Sequence, residues 1–500
     1  MSNPANHILR IRTGRVFLYI SSNQSNGKLA TLPEDFLKII PHLPGAQPES
    51  LLKAHEQKPV VSIRLHTAKW HKWTASDPAV AAQQQLPIGS AVPWAEDAFY
   101  LNEKPAFIFD PLFYAGAYYV QEASSMFVDF VMRQWNKQRS PSPALLLDLC
   151  AAPGGKSTIL LSHMQAQDLL ISNETVPARW QVLRENLIRW GYPQFVLTQL
   201  EARHFQAIPE AFDVILVDAP CSGSGMFRKD KQMGGLWTRN SVLSCSKKQS
   251  HLLQDIWPVL KPGGWLIYST CSFSPEENEQ VIDRLITETH GEPIELPVPD
   301  QWGIVTSYSP QHRAPGYRFY PDRLQGEGFY LAVVQKPVHH SNHKLKPSAK
   351  SRHRVTWEIT TIPPPAAYLE PSTELTCIRH EGEFYLFPSA QMNHLHTISL
   401  HIPIRQAGLC IGRIRQEWIP EHDLAMCTGL RTDVPAIALS REQALQYLQK
   451  QIISCPDLPL GWYLASYARF PLGWMKSIGQ RVNNYYPKRW KIQRTLTDMD

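Results

Sequence analysis

The sequence lacks the features that would place the chain in a membrane or outside the cell. Its 500 residues include only 8 cysteines, and none of these form a Cys-x-x-Cys pair, which argues against a disulfide scaffold and a zinc ribbon. No apolar run approaches the ~18 residues that a membrane helix needs. The N-terminus also lacks a signal-peptide core. We therefore expect a cytoplasmic chain that binds neither a membrane nor a metal ion.

A strong charge of one sign is also missing. The net charge is +6, from 50 Lys and Arg against 44 Asp and Glu, which is only a mild preference for polyanions. Hydrophobic residues make up 43% of the chain, so several cores can form, and the length allows about three domains.

The order of apolar runs and polar segments divides the chain into five expected parts. A polar extension comes first, then an N-terminal domain that binds RNA or substrate, a catalytic domain, a basic linker and a β-rich C-terminal region. The linker contains His339, His340, His343 and His353, which lack the Cys or acidic partners of a metal site. The five parts are residues 1–31, 32–135, 136–336, 337–356 and 357–500.

The part from 136 to 336 alternates apolar runs with helical segments. The expected strands are 144–149, 169–172, 195–197, 214–217, 265–268 and 329–334, and the expected helices lie near 155–166, 177–190, 247–260 and 275–287. This alternation predicts a parallel sheet with helices on both faces, which is a doubly wound α/β domain. Ligands of such sheets bind where the strands end, so the loops after the strands are the candidate site.

The loops after the first three strands suggest a nucleotide-like ligand. Residues 150–156 include two glycines that expose backbone N–H groups at a helix start. Gly155-Lys156-Ser157 matches the end of a P-loop, but Cys150 stands where that motif requires its first glycine. Glu174 has the position of an acid that binds ribose hydroxyls, although a solvated helix-start acid fits the spacing equally well. Glu201, after the third strand, can accept a hydrogen bond from an adenine amino group.

Two cysteines follow the next two strands. Cys221 lies in the segment 218–223, which begins with Asp218, and Cys271 lies in the segment 269–272. Cytosine C5 becomes nucleophilic enough to take a methyl group only after a thiolate has added to C6, and a base must then remove the C5 proton. A free thiol is only a few per cent thiolate at neutral pH, so a group such as Lys156 must assist it. The pair therefore favours covalent catalysis over inert packing.

These three motifs resemble those of the Nol/Nop/Sun family of RNA (cytosine-5)-methyltransferases. The resemblance extends to segments 121–126, 316–321 and 326–329, and segments 471–473 and 484–487 resemble the RsmF branch, which methylates 16S rRNA. It implies a class I methyltransferase fold with a Rossmann-like doubly wound sheet, a small N-terminal α/β domain and a PUA-like C-terminal region.

The resemblance also implies roles for individual residues. Cys271 is the nucleophile, Cys221 promotes release, and Asp218 contacts both the cytosine ring and the cofactor side, with Lys156 beside the thiols. The cofactor is S-adenosyl-L-methionine, with Glu174 at its ribose and Glu201 near its adenine. The residues implied in its binding are Cys150, Ala151, Ala152, Pro153, Gly154, Gly155, Lys156, Glu174, Arg179, Glu201 and Asp218.

Three alternatives stay open beside a monomeric enzyme that acts on 16S rRNA or the small ribosomal subunit. The substrate could be tRNA, or the chain could be a non-catalytic assembly factor on a degenerate fold, although the intact cysteines argue against the latter. DNA cytosine methyltransferases share the addition chemistry, but they use the cysteine of a Pro-Cys loop and lack the Thr-Cys-Ser loop.

The last basic stretch is expected to bind RNA. Tyr485, Tyr486 and Trp490 interleave with its cations and can stack bases, unless they belong to a core beneath a solvated face. The six cations, which have no acid among them, are Lys476, Arg481, Lys488, Arg489, Lys491 and Arg494.

Overall fold

The structure is a computed structural model that describes residues 32–74, 76–338, 357–360, 368–453 and 458–493. The expected extension over 1–31, the four linker histidines and Arg494 lie outside the described residues. Within those ranges, no helix is long and apolar enough to cross a membrane.

The N-terminal domain is a four-stranded antiparallel sheet with short helices around it. Its strands are ordered β2-β3-β1-β4. The expected domain boundary after residue 135 falls inside α6, which continues for three more residues to Gln138. The helices are α1 (Glu34–Ile39), α2 (Pro48–His55), α3 (Thr67–Thr74), α4 (Pro78–Gln83), α5 (Pro111–Tyr114) and α6 (Phe127–Gln138), and the strands are β1 (Ser62–Leu65), β2 (Ile88–Ala91), β3 (Ala98–Leu101) and β4 (Tyr118–Val120).

The catalytic domain has the expected doubly wound sheet. Its strands are β5 (Leu145–Asp148), β6 (Leu169–Asn173), β7 (Phe195–Thr198), β8 (Phe212–Asp218), β9 (Leu260–Thr270), β10 (Glu292–Pro293), β11 (Val305–Tyr308), β12 (Pro315–Phe319) and β13 (Phe329–Gln335). Its helices are α7 (Gly155–His163), α8 (Pro177–Trp190), α9 (Lys231–Leu236), α10 (Arg239–Ile256) and α11 (Glu279–Thr289). Strands β7-β6-β5-β8-β9 are parallel neighbours, which places the loops after them along one edge.

Two expectations for this domain need correction. The sheet is mixed rather than wholly parallel, since β13 pairs antiparallel with β9 and continues into the hairpin strands β12 and β11. The helix expected near 247–260 is α10, which begins eight residues earlier because Thr238 caps it, and which ends before β9 begins at Leu260.

The β-rich, PUA-like C-terminal region expected over 357–500 contains two sheets. The first sheet has the order β14-β15-β16-β18-β19 and the second β20-β21-β22-β23. The strands are β14 (Glu358–Ile359), β15 (Leu375–His380), β16 (Glu383–Pro388), β17 (Gln406–Ala407), β18 (Leu409–Ile414), β19 (Trp418–Pro420), β20 (Ala436–Ala438), β21 (Gly461–Tyr467), β22 (Phe470–Ser477) and β23 (Val482–Asn484). The helices are α12 (Met392–His401), α13 (His422–Met426) and α14 (Arg441–Leu448). Strand β17 pairs with β7, so this region extends the catalytic sheet.

Buried contacts join the three parts of the chain. The Lys69 ammonium donates to the carbonyls of Ala115, at 3.0 Å, and of Arg189, at 2.6 Å, in the last turn of α8. Gly191 follows α8 with φ +85°, and a Cβ there would lie 2.0 Å from the Met426 carbonyl oxygen. Only glycine allows both this left-handed turn and this close approach.

An aromatic cluster joins the first two helices to the cysteine loops. Phe36 of α1 packs edge-on against Phe227 and Trp237, with ring centroids 5.0 and 5.6 Å away, and it also contacts Phe273. Phe227 and Trp237 follow the Cys221 loop, and Phe273 follows Cys271. The N-terminal helices therefore pack against residues that follow both cysteine loops.

Candidate active site

The loop after β5 surrounds a buried carboxyl group. Asp148 is fully buried and accepts a hydrogen bond of 2.7 Å from the Ser157 hydroxyl on α7. Burial raises the pKa of Asp148 to about 7. Its other oxygen has no hydrogen-bond partner among the described residues, so it offers an acceptor to a ligand.

The glycines of this loop shape it through packing as well as through open backbone groups. Gly154 adopts φ +111° and precedes the first turn of α7. A Cβ on Gly155 would lie 3.3 Å from the side chains of Tyr119 and Gln121, which come from the N-terminal domain. A larger residue at 155 would therefore press on side chains of the neighbouring domain. Sequence analysis missed this contact, although Gln121 stood in one of the segments with family resemblance.

Glu174 and Arg179 form the next part of the site. Glu174 follows β6, is almost wholly buried and accepts from the Val176 N–H at 2.9 Å. The Arg179 guanidinium lies 3.2 Å from the same carboxylate and donates to the carbonyl of Ala152 at 2.8 Å. Arg179 therefore ties the acid after β6 to the loop after β5.

Two other predicted residues are held less tightly in the site. The Glu201 side chain is 62% exposed and pairs with the equally exposed Arg203 at 2.8 Å, so its contact with adenine stays a prediction. Cys150 is half-buried, and burial beside the carboxyl groups of the site raises the pKa of its thiol above the usual range. It is therefore suited to contact a ligand as a neutral group.

Lys156 and Asp218 form an ion pair between α7 and the end of β8. Their charged atoms are 2.8 Å apart, and Asp218 also accepts from the Ser269 hydroxyl at 2.7 Å. Burial would lower the pKa of Lys156, but the charges of Asp218, Asp148 and Cys271 outweigh it and raise that pKa. Lys156 is therefore a cation that interacts with both the Asp218 carboxylate and the Cys271 thiol.

The two predicted thiols are in contact. The sulfur atoms of Cys221 and Cys271 lie 3.0 Å apart at the ends of adjacent parallel strands. The hydrogen bond with Cys271, followed by burial, raises the pKa of Cys221 well above its usual value. The two thiols thus share one hydrogen bond, in which either sulfur can be the donor.

The charges of the site fit S-adenosyl-L-methionine. Three carboxyl groups, those of Asp148, Glu174 and Asp218, lie at the ends of adjacent strands, and the open oxygen of Asp148 needs a donor. The cofactor brings an ammonium, a sulfonium and ribose hydroxyls, which match this acceptor set, while Lys156 and Arg179 keep the carboxyls from repelling one another.

Family comparisons match three parts of the chain. Residues 139–335 match 16S rRNA methyltransferase RsmB/F, residues 32–123 the N-terminal domain of 16S rRNA methyltransferase RsmF, and residues 434–492 the RsmF PUA domain. A ribosomal RNA small subunit methyltransferase F from Aeromonas salmonicida is 30% identical over 454 residues, 85% of this chain and 90% of that protein. One from Vibrio parahaemolyticus is 29% identical over 491 residues, 93% of this chain and 98% of that protein.

The chain belongs to the RsmB/F family of 16S rRNA methyltransferases.

Solved structures agree with this assignment. A methyltransferase homolog from Pyrococcus horikoshii is 28% identical, with a TM-score of 0.51 over 61% of this chain and 96% of that one. NSun6 from Pyrococcus horikoshii, solved with SFG, shares the fold at 19% identity and a TM-score of 0.50, over 62% of this chain and 99% of that one. The expected family, the methyltransferase fold and the cofactor S-adenosyl-L-methionine are confirmed for this RsmB/F protein.

The C-terminal part of this RsmB/F chain corrects one expectation about its aromatics. Tyr486 and Trp490 are buried, at 1% and 8% exposure, where they pack against His422. Only Tyr485 is exposed, at 40%, and its ring lies 4.5 Å from that of Trp462. Two of the three aromatics expected to stack on RNA therefore belong to a core. Strand register and burial determine which aromatics are exposed, and the sequence does not reveal either.

Proposed function

We propose that this RsmB/F methyltransferase methylates C5 of a cytosine in 16S rRNA, with Cys271 as nucleophile and Cys221 as the residue that promotes release. The observation that carries the proposal is the contact of the two sulfurs at 3.0 Å beside the Lys156–Asp218 ion pair. Two thiols in contact at adjacent strand ends have no role in a methyl transfer to an oxygen or an exocyclic nitrogen.

Cys271 acts first in the proposed reaction. Its thiolate adds to C6 of the cytosine, and the electron pair of the C5–C6 double bond makes C5 the nucleophile. After methyl transfer, a base takes the C5 proton, the double bond re-forms and the C6–S bond breaks. The Lys156 ammonium attracts the starting thiolate, and Asp218, whose side chain is 35% exposed, has a free edge for the cytosine ring.

Cys221 changes its role as the reaction proceeds. Before addition, the hydrogen bond with Cys271 raises the pKa of Cys221 well above its usual value. Once the Cys271 sulfur is bonded to carbon, it no longer carries negative charge, so the main cause of the raised pKa of Cys221 is gone. Cys221 can then release its proton more readily and serve as the base that removes the C5 proton.

The cofactor side is assigned to the loop from Cys150 to Lys156, together with Glu174, Arg179 and Asp218. When bound there, S-adenosyl-L-methionine supplies an electrophilic methyl group on sulfur. The buried Asp148 and Glu174 provide acceptors, and Arg179 fixes the loop through the Ala152 carbonyl. Glu201, which lies in the exposed loop after β7, is the proposed contact for the adenine.

The substrate is inferred from relatives named ribosomal RNA small subunit methyltransferase F, together with a PUA match over 434–492. We further propose that the protein works as a monomer in the cytoplasm.

The test of the substrate supplies labelled cofactor and purified protein to 16S rRNA, to small subunits and to tRNA from a deletion strain. We expect 5-methylcytidine in the 16S rRNA digest and none in tRNA, and bisulfite sequencing locates it. Label in another nucleoside overturns the C5 assignment, and label in tRNA alone overturns the substrate.

Variants of the two cysteines test the mechanism. Cys271→Ala should give neither methylation nor a covalent complex, because no bond to C6 can form. Cys221→Ala should accumulate a protein–RNA adduct that survives denaturing electrophoresis, because elimination stalls. The double variant should give no adduct. An adduct from Cys271→Ala alone would reverse the two roles, and full activity in both single variants would overturn the covalent route.

A further inference from the structure

A buried glutamate lies behind both cysteine loops and has no part in the proposed chemistry. Glu277 ends the short turn Pro275–Glu277 that follows the Cys271 loop, and it is fully buried. Its carboxylate accepts from the Ser222 N–H at 2.7 Å and from the Ser222 hydroxyl at 2.6 Å. It also accepts from the Ser272 hydroxyl at 2.5 Å and the Gln249 amide at 3.3 Å.

Every donor to this carboxylate is neutral, and no ion pair involves Glu277 within the part of the chain that the structure describes. A buried carboxylate without a cation is costly, and it persists only where several hydrogen bonds compensate. Burial raises the pKa of Glu277, while the bonds from Ser222 and Ser272 act in the opposite direction. The two serines therefore stabilise the carboxylate, and the same hydrogen bonds fix the positions of the serines.

The donors stand next to the thiols. Ser222 follows Cys221 in the chain, and Ser272 follows Cys271, so one side chain links both loops immediately beside the reacting sulfurs. A second link, from the Gly225 N–H to the Cys271 carbonyl at 2.9 Å, joins the same loops through the backbone. The Phe273 N–H also donates to the Ser224 hydroxyl at 2.9 Å, so Glu277 is the side chain that adds a carboxylate bridge to these links.

Glu277 also acts through its charge. Its negative charge contributes to the raised pKa of Cys221, after the hydrogen bond with Cys271 and burial. The other titratable groups that interact with the sulfurs are the cation of Lys156 and the neutral side chains of Cys245 and Tyr268. Asp218 faces Lys156. Glu277 is therefore the carboxylate that bridges the two thiol loops.

We propose that Glu277 is a positioning residue that holds the Cys221 and Cys271 loops together and sets the position of the two sulfurs relative to each other. This inference rests on the cysteine roles given under Proposed function. It assigns Glu277 no contact with RNA or cofactor. Removal of the side chain should separate the sulfurs and make the two thiols more alike in reactivity.

The test is alkylation of the full-length protein by iodoacetamide, without RNA or cofactor, with each labelled cysteine identified by peptide mass spectrometry. In the wild type we expect Cys271 to react at least about tenfold faster than Cys221 at pH 7, since the thiolate is the reactive form. Glu277→Ala should reduce this ratio about tenfold and shift the pH profile of Cys221 labelling downward, because the charge of Glu277 and the hydrogen bond with Cys271 both raise the pKa of Cys221. Glu277→Gln, which keeps the shape but not the charge, should shift the ratio less.

The matched control is Glu276→Gln. Glu276 is the preceding residue of the same turn, and its side chain pairs with Arg239 rather than with a cysteine loop. It should keep the wild-type labelling ratio. If Glu277→Ala does not fold, Ser272→Ala removes one of the same hydrogen bonds from the other side and should shift the ratio in the same direction.

Wild-type ratios and pH profiles in Glu277→Gln and Ser272→Ala, with unchanged melting temperature and cofactor affinity, would overturn the inference. This result would leave the methylation chemistry untouched. Conversely, an active Cys271→Ala enzyme would overturn the proposed function whatever the alkylation results, so the two failures are distinguishable.

Discussion

The edge of the catalytic sheet and the C-terminal sheet β20–β23 both carry residues that the sequence marks as functional, but the two regions use them differently. At the edge, Cys221, Cys271, Asp218 and Lys156 come together from α7 and two neighbouring strands. In the C-terminal sheet, residues next to each other in the chain separate into core and surface. Polar groups in the loops after neighbouring parallel strands lie at the same edge of the sheet. An aromatic ring, in contrast, can pack in a hydrophobic core as well as on a surface.

The largest effect is expected in the core of the C-terminal sheet. Trp490→Ala removes a buried indole that packs against His422 and over which the Arg189 guanidinium lies at 5.8 Å. We expect unfolding free energy to fall by roughly 3–5 kcal/mol, the usual cost of truncating a buried aromatic. Urea denaturation measures it. Trp462→Ala, on a half-buried indole of the same sheet, should lose clearly less, and equal losses would contradict the burial argument.

The positions of the proposed catalytic residues were predictable because sheet topology brings strand ends together. The loops after β5, β8 and β9 needed only the order of strands to place Lys156, Asp218 and the cysteines at one edge. Glu277 could not be predicted in the same way, since its role depends on a turn that folds back under both loops. The pattern Pro275-Glu276-Glu277-Asn278 after the cysteine was the available signal, but nothing in it distinguishes the acid that pairs with Arg239 from the acid that binds the cysteine loops.

The next effect should appear at the catalytic edge, in rate rather than stability. Lys156→Met removes the cation between Asp218 and the thiols, so Asp218 is left unpaired and Cys271 loses an attractive charge. We expect single-turnover methylation to slow by about 10²–10³-fold, the size typical of a lost electrostatic or general acid/base group. Lys58→Met, on an exposed lysine outside the site, is the control. A slowdown of less than threefold for Lys156→Met would remove this residue from the proposed mechanism.

Stability at the same edge should depend on pH through Asp148. Its folded pKa of about 7 lies above the usual aspartate value of 3.8, so the folded state binds this proton more tightly than the unfolded state. Its contribution is therefore full below pH ~4 and is lost as pH rises through 7. From pH 5 to pH 8, wild type should lose roughly 2–3 kcal/mol more unfolding free energy than Asp148→Asn, without cofactor. Parallel pH profiles of the two proteins in urea denaturation would contradict the assignment.

The smallest effect concerns the one aromatic that the C-terminal sheet leaves exposed, and it decides whether that sheet has a functional surface at all. Tyr485→Ala should weaken binding to an rRNA fragment about tenfold, because base stacking on an aromatic is worth ~1–3 kcal/mol. Tyr485→Phe keeps the ring and should bind like wild type. Neither variant should change the melting temperature, since the ring is only half covered. If Tyr485→Ala binds normally, all three aromatics are structural, and RNA affinity must come from the cations, which a steep dependence of affinity on salt would reveal.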